Sequence, residues 1–108
     1  MDDASSAPIR ALPCDDDSLV RLDVFVAALG ESIDAIQDSE RTEQLEETAK
    51  RAGDLARDAQ ELGLPQLATA AEHVVACCQR GDGANAHAAI VELTDVVRRV
   101  RLGHRPTI

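Results

Sequence analysis

The chain has 108 residues, enough for one domain that withdraws roughly 60–70% of its unfolded surface from water. Twenty acidic residues against eleven basic ones leave a net charge of -9, which repels phosphate backbones and anionic lipid and sets aside nucleic acid and membrane surfaces as partners. With one Phe, no Tyr and no Trp, the core has to be built from Leu, Val, Ile and Ala, which suits closely packed helices and suits a sheet poorly.

Residues 1–14 are small, polar or Pro and show no helical period, so they read as a flexible or loosely docked N-terminal arm. Pro13 and the acidic run Asp15-Asp16-Asp17 form a helix entrance, with carboxylates at the positive end of the helix dipole. The spacing of Leu19, Leu22, Phe25, Val26, Leu29, Ile33 and Ile36 predicts a first helix over 17–38, with Gly30 off its apolar stripe. A second helix is expected over 41–62, with the stripe Leu45, Ala49, Ala52, Leu55, Ala56, Ala59 and Leu62 and with Gly63 as its stop. Pro65 fits the first turn of a third helix over 65–80, whose stripe is Leu67, Ala70, Ala71, Val74, Cys77 and Cys78. Asp82 is the expected N-cap of a fourth helix over 82–102. There Ala86, Ala89, Ile90, Leu93, Val96, Val97 and Val100 face one way, and Arg98, Arg99 and Arg101 lie toward the negative end of the dipole.

Four amphipathic helices joined by short links predict an all-α, antiparallel, up-down four-helix bundle over 15–103, with 104–108 as a C-terminal tail. No apolar run approaches the ~20 residues that cross a bilayer, and the N-terminus lacks a basic segment followed by an apolar one, so a cytoplasmic location is expected. Cys14, Cys77 and Cys78 are an odd set with two adjacent members, which is neither a disulfide framework nor a zinc set; Cys77 and Cys78 read as small helix residues, at least one buried.

Several segments resemble the histidine-phosphotransfer (HPt) domains of bacterial phosphorelays. The main one is Leu62-Gly63-Leu64-Pro65-Gln66-Leu67-Ala68-Thr69-Ala70-Ala71-Glu72, similar to a turn in one branch of the family that leads into an Ala-rich helix. Arg80-Gly81-Asp82 is similar to the short link between the family's last two helices, and Pro8-Ile9, the acidic run and Phe25-Val26 fall in a matching order. The family's phosphoacceptor lies in the pattern H-x-L-K-G, ten residues before the turn glycine; counted back from Gly63, that position is Gly53. Leu55 matches the pattern's leucine, while Ala56 and Arg57 replace its lysine and glycine. The resemblance therefore implies an HPt-like architecture without the imidazole that phosphotransfer requires as nucleophile.

Helical geometry places Gly53 roughly 110° from the centre of its helix's apolar stripe, level with Glu46, Lys50, Arg57 and Gln60. Lys50, Gly53, Arg57 and Gln60 are thus the candidate docking face, and the resemblance implies a response-regulator receiver domain or a histidine kinase as partner. His73 and His87 point well off their stripes and His104 lies in the tail; all three read as surface histidines without a ligand-type neighbour. No metal motif, Gly-rich phosphate loop or Ser-His-Asp set is present, so no cofactor and no enzymatic activity are expected. The expected function is a two-component signalling module that binds without carrying phosphate, as a monomer or weak dimer. The alternatives are an active phosphotransfer protein that uses His73 or His87, and a self-associating bundle with no signalling role.

Overall fold

The computed structural model describes residues 7–12 and 16–105. The expected helix entrance at Pro13 and Asp15, Cys14, the first six residues and the last three lie outside the described residues. Five helices follow one another: α1 (Asp16–Ala27), α2 (Leu29–Arg41), α3 (Leu45–Glu61), α4 (Pro65–Gln79) and α5 (Gly83–Gly103). No strand occurs among the described residues. Helices α2, α3, α4 and α5 pack in a ring, α2 on α3, α3 on α4, α4 on α5 and α5 back on α2, and α1 joins α2 at one end.

The fold is therefore an all-α five-helix bundle, which corrects the four-helix expectation: the helix anticipated over 17–38 is two helices, divided at Ala28. There the Ala28 N–H donates to the carbonyls of both Val24 and Phe25, each at 3.1 Å, and ψ flattens to -4°. Ala28 is neither Gly nor Pro, Gly30 follows as the second residue of α2, and the apolar period runs through the break. Its cause is tertiary. Helix α1 turns to meet the far end of the bundle, where Leu22 and Val26 are buried, Arg21 reaches Glu61 at 3.1 Å and Asp23 meets His104 at 2.7 Å. Helix α2 continues along α3 and α5.

A second boundary also moves. Helix α3 starts at Leu45 rather than 41, because Thr42, Glu43 and Gln44 form a turn with Glu43 at φ 61°. Their N–H groups donate back to Asp38, Glu40 and Ser39 carbonyls, closing the end of α2. Buried beside this turn, the Ser39 and Thr48 hydroxyls lie 2.7 Å apart; one donates to the other, which in turn donates to a backbone carbonyl one helical turn back, that of Ile36 for Ser39 or Gln44 for Thr48. Both polar side chains are thereby satisfied inside an apolar shell.

The four apolar stripes fill the core. Every stripe residue of α4 and α5 is buried, as are Leu22, Val26, Leu29, Ile33 and Ile36 of α1 and α2; Leu19, Phe25, Leu45 and Ala49 are half-buried. Pro65 opens α4 as expected, and Asp82 caps α5 by accepting from the Asn85 N–H at 3.1 Å. That bond, joined by one from the Asn85 side chain, holds the Asp82 carboxyl below its ordinary value. Cys77 and Cys78 are both buried and unbridged; burial foremost, then Cys77 and Glu40, raises the Cys78 thiol, which stays protonated and inert at neutral pH.

A strap closes the end where α1 sits. Residues Ala7 to Leu12 cross the α3–α4 turn and the end of α5: Ile9 N–H donates to Arg99 O at 3.0 Å, Leu12 N–H to Gly63 O at 2.8 Å, and Arg99 Nε to Ala7 O at 2.8 Å. Ile9 itself is only 6% exposed. Two glycines make room. Gly63, at φ 78°, adopts a left-handed conformation that costs a side-chain-bearing residue, and a Cβ there would crowd Leu12 at 3.2 Å. Gly103 has ordinary φ, but a Cβ on it would collide with the Ile9 carbonyl. Gly103→Ala should therefore unseat the strap and destabilise the protein by about 1–3 kcal/mol, measured by chemical denaturation, with fast amide exchange appearing at Ile9 and Leu12.

Candidate functional site

Helix α3 carries the candidate docking face because its inner positions are taken. Ala52, Leu55, Ala56 and Ala59 are buried against the neighbouring helices, so the residues one step round the helix, Lys50, Arg57 and Gln60, are left in water. Glu46 is exposed on the same side. The spacing of three and four residues brings these side chains into a single strip along the helix.

Gly53 lies in the middle of that strip, and here the structure refines the outward placement read from the helical angle. Gly53 is half-buried, at the seam with α4, and a Cβ on it would meet the Val75 Cγ2 at 3.9 Å, an ordinary van der Waals separation. Between Lys50 and Arg57 there is therefore a notch with no side chain of its own and the half-buried Val75 beside it. Val75 falls outside the α4 stripe and was not marked as a site residue by the sequence. The signal that could have found it is antiparallel register: across the turn at Gly63–Leu64, positions near 53 pair with positions near 75.

Charge on the strip is partly balanced. Arg57 donates to Asp54 at 2.8 Å, and next to the strip Arg51 reaches Glu47 at 2.9 Å; all four side chains are well exposed. Exposed pairs of this kind stabilise by about 0.2–1 kcal/mol, so the guanidinium groups remain available to a partner's carboxylates.

Ala56, at the position where the resemblance places a lysine, is 5% exposed and belongs to the core with Leu55. A charge introduced there would enter the apolar interior, not the solvent-facing strip. Of the positions named from the sequence, Lys50, Gly53, Arg57 and Gln60 come together, while Ala56 turns away.

The histidines are elsewhere. His73 on α4 is exposed, with Nδ1 3.8 Å from Glu92 on α5, and His87 on α5 faces both carboxylate oxygens of Glu40 at 3.0 and 3.2 Å. Each thus has an acidic neighbour across a helix seam that chain spacing did not show. His104 differs most from its reading as a tail residue: its side chain is 13% exposed, and its Nε2 meets Asp23 Oδ1 at 2.7 Å. It ties the end of α5 to α1. No group of three or more His, Cys, Asp or Glu side chains fit to hold a metal occurs among the described residues, and no helix there is long and apolar enough to cross a membrane. Compared with known proteins, the chain matches no family model, no curated protein and no solved structure.

The notch and its neighbour give opposite expectations for mutation. Gly53→Ala should raise stability by about 0.5–1 kcal/mol, because the helix gains propensity and the new methyl makes only ordinary contact with Val75. Gly53→His should be tolerated as well. Ala56→Lys should lower stability by roughly 3 kcal/mol, through overpacking and burial of a charge. Urea denaturation of the three variants checks the order.

Proposed function

We propose that the chain is a cytoplasmic protein-docking module of two-component signalling, which binds a receiver or kinase domain through the α3 strip and carries no phosphate. It acts as a binding protein and not as an enzyme. The single observation behind this reading is the side-chain-free notch at Gly53, flanked by Lys50 and Arg57 on a solvent-facing strip, at the position where the resemblance of residues 62–72 sets a phosphoacceptor. A phosphoryl group needs a nucleophile to receive it, and glycine supplies none.

The reading gives the strip a positive task. Without an imidazole, a partner's surface can approach the α3 backbone and rest on Val75, with Lys50 and Arg57 placed to meet acidic groups around it. Receiver domains are suited to such a contact because phosphoryl-accepting sites are rich in carboxylates that hold a divalent cation. A protein that occupies that face without exchanging phosphate would compete with the receiver's phosphodonors.

The test combines binding with chemistry. Immobilised protein should retain at least one receiver or kinase domain from a panel, and the double variant Lys50→Glu, Arg57→Glu should weaken that binding about tenfold or more while leaving the circular dichroism spectrum unchanged. Incubation with phosphorylated receivers should leave the chain at its unmodified mass. A phosphohistidine at His73 or His87 would replace this reading with active phosphotransfer, and a chain that dimerises while ignoring every receiver and kinase would replace it with a self-associating bundle.

A further inference from the structure

On the opposite side of the ring from the α3–α4 seam, α2 and α5 leave an open groove of about 410 Å³, lined by Ile33, Thr94, Val97, Arg98, Arg101 and Leu102. Ile33 and Val97 form an apolar floor, both buried, and Leu102 stands at the rim with 51% of its surface in water. The lining contains two arginines and no carboxylate, in a chain of net charge -9. Arg98 is held along its own helix by Asp95 at 2.9 Å, whereas Arg101 makes no ion pair among the described residues.

Gly30 lies beside this groove, next to Arg101. A Cβ there would lie 3.6 Å from the Arg101 Nη1, so the guanidinium rests over the bare stretch of α2 that glycine provides. Gly30, off the apolar stripe, marks where a long basic side chain crosses from α5 to α2. The floor is polar at one point only, where Gln37 donates to the Thr94 hydroxyl at 3.0 Å and Thr94 in turn donates to the Ile90 carbonyl at 2.8 Å; these groups need no ligand.

We propose that this groove is a second docking site, which takes an acidic amphipathic helix from a partner protein. An apolar floor with an exposed leucine at its rim fits the apolar stripe of a helix laid into it, as helix-in-groove recognition requires. Arg98 and Arg101 select carboxylates on the flanks of that helix and disfavour basic side chains there, because like charges across an interface repel. The site is separate from the α3 strip and does not depend on it.

The probe is a pair of synthetic helical peptides of about 20 residues, long enough to hold some helix in isolation. Both have leucines at positions i, i+3, i+4 and i+7; one has glutamates on the flanks and the other lysines. Titrated into the full chain labelled with ¹⁵N, the acidic peptide should shift the amides of Ile33, Val97 and Leu102 and bind at least about tenfold more tightly than the basic one. Arg101→Glu should reduce that preference about tenfold, with Leu102→Asp as a second variant should the first not fold. Equal affinity for the two peptides, shifts centred on another face, or no binding at millimolar peptide would overturn the proposal. So would sedimentation showing that a second copy of the chain already covers Ile33, Val97 and Leu102.

Discussion

Alanine packing between α3 and α4 sets the geometry on which the candidate site rests. Ala52, Ala56 and Ala59 on one helix and Ala68, Ala70 and Ala71 on the other are all buried. Side chains this small allow helices to approach closely, since interaxial distance follows the size of the residues at the contact. The larger groups, Leu55, Leu67 and Val74, are buried with them. A close seam has a consequence at the surface: a residue just outside it is half-covered by the neighbouring helix. Gly53 and Val75 occupy such positions, and so the notch exists at all.

The remaining architecture holds that seam in place from both ends. At one end the Ser39–Thr48 hydroxyl pair joins α2 to α3, and Asp82 caps α5 just after α4 stops. At the other, the strap from Ala7 to Leu12 crosses the α3–α4 turn while His104 fastens α5 to α1 through Asp23. Unlike the many exposed ion pairs on the helix flanks, the His104–Asp23 hydrogen bond is largely shielded from water. The α3 strip and the α2–α5 groove lie across the ring from each other.

Much of this could be read from the sequence, for a physical reason. A core without bulky aromatics leaves the helical period as a clear signal, and the stripes of α4 and α5 are buried residue for residue. The break at Ala28 could not be read this way. It arises where α1 turns to bury Leu22 and Val26 and to bring Asp23 to His104, far along the chain, while Gly30 stands two residues past the break and off the apolar stripe. Ile9 likewise had no periodic partner, because its burial depends on a collision-free passage beside Gly103 that only the folded chain provides. At the candidate site the angle of Gly53 about its helix was legible, but its partial cover by Val75 and the inward turn of Ala56 were not. Those depend on how closely the neighbouring helices approach.

The most direct measurement of the central claim is a map of amide hydrogen exchange across α3, with and without a receiver or kinase domain captured by the chain. The account expects protection centred on Lys50, Gly53, Arg57 and Gln60, extending to Val75 on α4, with no change in mass from phosphate. A captured partner that protects other surfaces and leaves this strip untouched would contradict it.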